Sequence, residues 1–75
     1  MGTRLPAVDG GDVLRALRRA GFVVDRISGS HHVMRHADGR KTSIPVHSGK
    51  SLRRGLLAAI LKDVRMSAEE FRELL

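Results

Sequence analysis

Gly29-Ser30-His31-His32 has the strongest claim to chemistry in this chain, because a glycine-serine turn there runs straight into two imidazoles. Side chains alternate along a strand, so His31, Val33 and Arg35 share one face and His32, Met34 and His36 the other. Met34 is expected to point inward: the larger hydrophobe gains more from burial, and Arg35 is easier to leave in water than to bury. That leaves His31 and Arg35 together on an open face. An imidazole and a cation suit metal-free RNA cleavage. A base takes the proton of the ribose 2′-OH, an acid protonates the leaving 5′-oxygen, and cations stabilise the charge growing on phosphate. One histidine contributes about 10² to 10⁴ fold, so the nuclease is expected to be slow unless His36 or His47, which otherwise read as structural or solvent-facing, completes a pair. Gly29 permits close backbone approach or a positive φ. Residue chemistry alone leaves open that His31 is an idle surface imidazole.

A metal site is not expected from the four histidines. His32 and His36 share a face but stand about 13 Å apart at roughly 3.3 Å per residue, and His31 and His32 point oppositely. The chain has no cysteine, which removes thiol catalysis and cysteine-based zinc or iron–sulfur sites. No cofactor is expected. Lys50, Arg53 and Arg54 come just before a helix start, where free N–H groups and the helix dipole favour anions. They read as phosphate-binding residues or as solvated loop charges. Arg15, Arg18 and Arg19 read as an ordinary solvated helix face.

The net charge of +6 points to an anionic partner, and 75 residues with 41% apolar side chains allow one domain with a small core. Phe22 and Phe71 are the only aromatics, so a stacking platform for single-stranded bases is not expected; RNA contact would run through phosphate, sugar and shape. No apolar run is long enough for a membrane span or a signal peptide, and the chain is expected to be soluble and cytoplasmic. It offers no recognition-helix pattern, so direct sequence-specific DNA reading is not expected.

The elements that must position these residues follow from periodicity. Residues 1–8 carry Pro6 without a pattern and read as a flexible arm, leaving 9–75 as the single domain. Asp9 and Asp12 open a first helix, with Val13, Leu14 and Leu17 on its apolar stripe and Gly21 as its stop. Three strands follow: 22–27, 31–36 and 41–46. The turn Ser28-Gly29-Ser30 joins the first two, and Asp38-Gly39 signals a two-residue type I′ hairpin between the others. Pro45 places the third strand at an edge or near its end. Leu56, Leu57, Ile60, Leu61 and Val64 form the clearest helical stripe, read as core, and Ser67 with Glu70 caps a short last helix. The order is α-β-β-β-α-α.

Taken in order, these segments resemble the HicA (YcfA-like) family of bacterial toxins. The resemblance runs from about Gly11 to Leu61. It is carried by Arg19-Ala20-Gly21-Phe22, Arg26-Ile27-Ser28-Gly29-Ser30-His31-His32, Asp38-Gly39-Arg40, Ile44-Pro45-Val46-His47, and Leu52 to Leu61 with Gly55 and Ile60-Leu61. Ser67 to Leu75 looks like the tail of longer members. The resemblance implies an α+β, double-stranded-RNA-binding-like fold with helices on one face of a three-stranded antiparallel sheet. It implies a metal-independent endoribonuclease, an mRNA interferase that blocks translation and is neutralised by a HicB-type antitoxin. The family's catalytic histidine follows the Gly-Ser turn, directly or, in some members, after one intervening residue, so the resemblance admits His31 or His32; His31 is favoured because it lies on the face without Met34, and His32 stands second. Gly29 and Ser30 would then shape the turn, Arg35 would stabilise phosphate, and Lys50, Arg53 and Arg54 would grip the RNA backbone. Two positions depart from the family pattern: Arg54 stands where many members have proline, and Met34 where the residue is often aromatic. The alternative reading is a non-catalytic RNA-binding module with the same fold and charge.

Overall fold

The structure is a computed structural model that describes residues 4–75; residues 1–3 of the expected arm lie outside the described residues. Its elements are α1 (Gly10–Arg19), β1 (Val23–Ser28), β2 (His31–Arg35), β3 (Lys41–Pro45), α2 (Arg54–Asp63) and α3 (Ala68–Leu74). The strands form one antiparallel sheet in the order β1-β2-β3. This is a small α+β fold whose core lies between the helices and one face of the sheet. Met34 and Ile44 supply the sheet side, and Val13, Leu17, Leu57, Ile60 and Phe71 the helical side. Met34 is fully buried, as its size demanded.

Local chemistry starts and stops the helices. Asp9 caps α1 through a reciprocal box with Asp12, and Ser67 and Glu70 do the same for α3. At the end of α1 the Phe22 N–H bonds the Leu17 carbonyl and the Gly21 N–H the Arg18 carbonyl, with Gly21 at φ 96°. This Schellman arrangement delivers Phe22 into the core. Arg53 precedes α2 without any side-chain cap, so proline is not required at Arg54 for the helix to begin. The stripe on α2 is narrower than the spacing suggests. Leu57, Ile60, Leu61 and Val64 are buried, at i, i+3, i+4 and i+7, but Leu56 lies to one side and is exposed.

The second hairpin also differs from the expected type I′ turn. The His36 N–H bonds the Arg40 carbonyl and the Gly39 N–H the His36 carbonyl, which makes a three-residue loop, Ala37–Gly39. Of these only Gly39 has a positive φ, whereas type I′ needs two such residues. The pairing is therefore Arg35 with Lys41, and His31 with Pro45. His36 and Arg40 both flank Phe22, the imidazole edge-on at 5.0 Å and the guanidinium 5.0 Å from the ring centroid. Arg40 also donates to the Val64 carbonyl at 2.6 Å, tying the hairpin to the end of α2.

One close approach joins α1 to the sheet. A Cβ on Gly10 would stand 2.1 Å from the Pro45 carbonyl oxygen and 2.9 Å from the Val46 Cα, so the first turn of α1 lies directly on the end of β3. Beside it, Asp9 bridges Ser51, and the Leu52 N–H bonds the Val8 carbonyl at 2.8 Å. Val8 is 6% exposed and belongs to the core. The last part of the stretch read as an arm is thus held down.

Gly10→Ala should lower unfolding free energy by about 1 to 3 kcal/mol, because the methyl meets backbone. Gly11→Ala, whose methyl meets only side-chain ends, should be neutral or stabilising. Urea denaturation of both variants checks this, and equal losses would sink it. A second expectation concerns acid. Asp12 is held below the usual carboxylate range chiefly by the Asp9 N–H, Asp38 chiefly by the Arg40 N–H, and Glu70 chiefly by the Ser67 N–H. Each carboxyl binds its proton less readily when folded. The stabilisation is therefore complete above the ordinary values near about 4 and lost as pH falls through the lower folded values. Melting temperature should drop between about pH 5 and about pH 2, and less steeply for Asp38→Asn.

Candidate functional site

The turn into β2 is built for access. Ser28 pairs with His31, so Gly29 and Ser30 form a two-residue loop, and Gly29 has φ 59° while Ser30 does not share the positive sign. That is the sign pattern of a type II′ turn, which calls for glycine first. Beyond its two chain neighbours, no atom of the described residues lies within 4 Å of where a Gly29 Cβ would be, so the backbone there is open to a ligand.

His31 is exposed and lies opposite Pro45 on the sheet face that the helices leave bare. Its ring makes no hydrogen bond or ion pair among the described residues. His32 points the other way, between Ile27 and Ile44, and is half-buried, with Nδ1 3.4 Å from the Ser30 carbonyl oxygen. The two histidines therefore have unlike surroundings. Arg35 shares the open face with His31 but sits at the far end of β2, four residues and about 13 Å away. There it pairs with Asp25 at 3.3 Å. The structure does not bring Arg35 up to His31.

It brings His47 there instead. Ser30 Oγ stands 3.3 Å from His47 Nε2, and the Val46 N–H bonds the Ser30 carbonyl at 2.7 Å, continuing the β2–β3 ladder past Pro45. Val46 packs toward the core, so alternation returns His47 to the side of His31. His47 also opens onto a shallow cleft of about 240 Å³ lined by Pro45, Lys50, Arg53 and Leu56. Lys50 and Arg53 are thus joined to the turn by one continuous surface, with Arg54 one residue into α2. Among the described residues Lys50, Arg53 and Arg54 form no salt bridge. Spacing offered His47 only as one of two partners for a pair; the register of β3 distinguishes it from His36, which is committed to Phe22 and to the Asp38 N–H. No group of three or more histidine or acidic side chains among the described residues could hold a metal ion.

Fold and site together define a small basic α+β domain with a solvent-facing histidine at a glycine-serine turn and cations beside it. The chain matches the family model described as HicA toxin of bacterial toxin-antitoxin over residues 10–66, well over half of its length. It belongs to the HicA toxin family, and that membership carries a toxin role and a cognate antitoxin. No curated protein matches the chain. No helix among the described residues is long and apolar enough to cross a membrane.

Because the His31 ring is exposed and unengaged, His31→Ala should leave unfolding free energy within about 0.5 kcal/mol of the parent. Met34→Ala should cost about 2 to 5 kcal/mol. Chemical denaturation of both decides whether an activity loss at His31 can be read as chemistry.

Proposed function

We propose that the protein is a metal-independent endoribonuclease that cleaves mRNA in the cytoplasm, blocks translation, and is held inactive by a HicB-type antitoxin. The observation that carries this reading is the exposed His31 on the helix-free face, beside an unpaired basic cleft, in a chain of the HicA family. His31 acts on the ribose 2′-OH as general base. His32 is the lesser candidate, since its ring is half-buried on the helical side of the sheet. Gly29 and Ser30 let the phosphate approach the turn backbone, and Lys50, Arg53 and Arg54 hold the neighbouring phosphates. Arg35, at the opposite end of the same face, serves backbone contact rather than the scissile phosphate. The double-stranded-RNA-binding-like arrangement suits recognition through phosphate and sugar, in keeping with a chain that has only two aromatics, Phe22 and Phe71, both buried. An acidic antitoxin surface would be attracted to the same cations and cover His31.

The test is incubation of purified protein with end-labelled RNA in excess EDTA. Cleavage should fall about 10² to 10⁴ fold in His31→Ala and much less in His32→Ala. RNA left intact by the parent, with salt-dependent binding that survives both substitutions, would instead establish a non-catalytic RNA-binding module. Lys50→Ala and Arg53→Ala should each lower the slope of log affinity against log salt by about 0.7 for a single strand, measured by fluorescence anisotropy with His31→Ala.

A further inference from the structure

We propose that His47 is the second proton-transfer group of this site, the acid that protonates the leaving 5′-oxygen while His31 accepts the 2′-OH proton. The proposal rests on the endoribonuclease reading above. Three observations carry it. His31 lies opposite Pro45, and the Val46 N–H to Ser30 carbonyl bond extends that ladder by one residue. His47 is then the diagonal neighbour of His31 on the same face, and such neighbours stand about 7 to 8 Å apart. That separation lets two imidazoles bracket one phosphodiester. Second, the Ser30 hydroxyl is 3.3 Å from His47 Nε2, which holds the ring beside the turn and leaves Nδ1 without a hydrogen-bond partner among the described residues. Third, His47 lines the cleft that holds Lys50 and Arg53, where the negative charge of the phosphate would be neutralised.

The step balances without any added reactant. The 2′-oxygen bonds to phosphorus and gives its proton to His31; the bond from phosphorus to the 5′-oxygen breaks, and that oxygen takes a proton from His47. The products are a 2′,3′-cyclic phosphate and a 5′-hydroxyl. Proton exchange with water resets both rings. Ser30 is a positioning residue, since it acts through His47.

The experiment uses two RNA oligonucleotides of one sequence, differing only in that the cleaved bond has a bridging 5′-sulfur in one of them. A thiolate leaves without needing a proton. His47→Ala and His47→Gln should cleave the ordinary RNA about 10² to 10⁴ fold more slowly than the parent, yet cleave the sulfur-bridged RNA within a few fold of it. His31→Ala should be slow on both. Equal losses on the two substrates in the His47 variants would overturn the acid role, as would ordinary cleavage restored by glutamine, which can keep a hydrogen bond but cannot supply the proton. Unchanged cleavage of ordinary RNA by His47→Ala would overturn it while leaving the endoribonuclease reading intact. If the parent cleaves neither substrate, both readings fall.

Discussion

The contact between Gly10 and the backbone of Pro45 and Val46 is the constraint on which the rest of the arrangement turns. Helix and strand approach so closely there that only a hydrogen fits. This fixes the end of β3 against the first turn of α1, which is itself held by the Asp9 and Asp12 box. Pro45 in turn faces His31, and the chain beyond it carries His47 to Ser30. Packing inside the domain and geometry on its bare face are therefore one problem. A shift of α1 would be felt at a side chain on the other side of the sheet.

Charge is divided in a similar way. Asp12 and Glu70 complete caps, Asp25 meets Arg35, Asp38 meets Arg40, and Asp63 accepts from Thr42. These acidic groups are consumed close to where they sit in the fold. Lys50, Arg53 and Arg54 have no such partner among the described residues, so their positive charge is left uncompensated on the cleft beside the turn.

What could be read from the sequence was mostly what is decided within a few residues. The caps at Asp9 and Ser67, the stop at Gly21 and the inward Met34 depend on local hydrogen bonds or on the size of one side chain, and all are found in the structure. Register was harder. Asp38-Gly39 suits both a two-residue and a three-residue loop, and the clamp of His36 and Arg40 on Phe22 accompanies the longer one. The pairing of Ser30 with His47 depends on that register across seventeen residues of chain. Gly10 carries no local signal of its role, because its contact is made with a strand thirty-five residues away. Leu56 fitted the stripe in spacing but faces the basic cleft instead of the core.

The irregularity in β1 has a further consequence. Between Val24 and Arg26 the pairing with β2 skips Asp25, leaving it as an extra residue in an otherwise continuous ladder. β1 is also an outer strand, and Val23 and Ile27 on it are 59% and 58% exposed. A straight outer strand with those two side chains would invite a second copy to add on and start a polymer. A skipped residue of this kind bends a strand, and this one carries the Asp25 carboxylate, which meets the Arg35 guanidinium at the end of the neighbouring strand. Breaks in the ladder and charges on a border are features that disfavour the edge-to-edge addition of one sheet to the next.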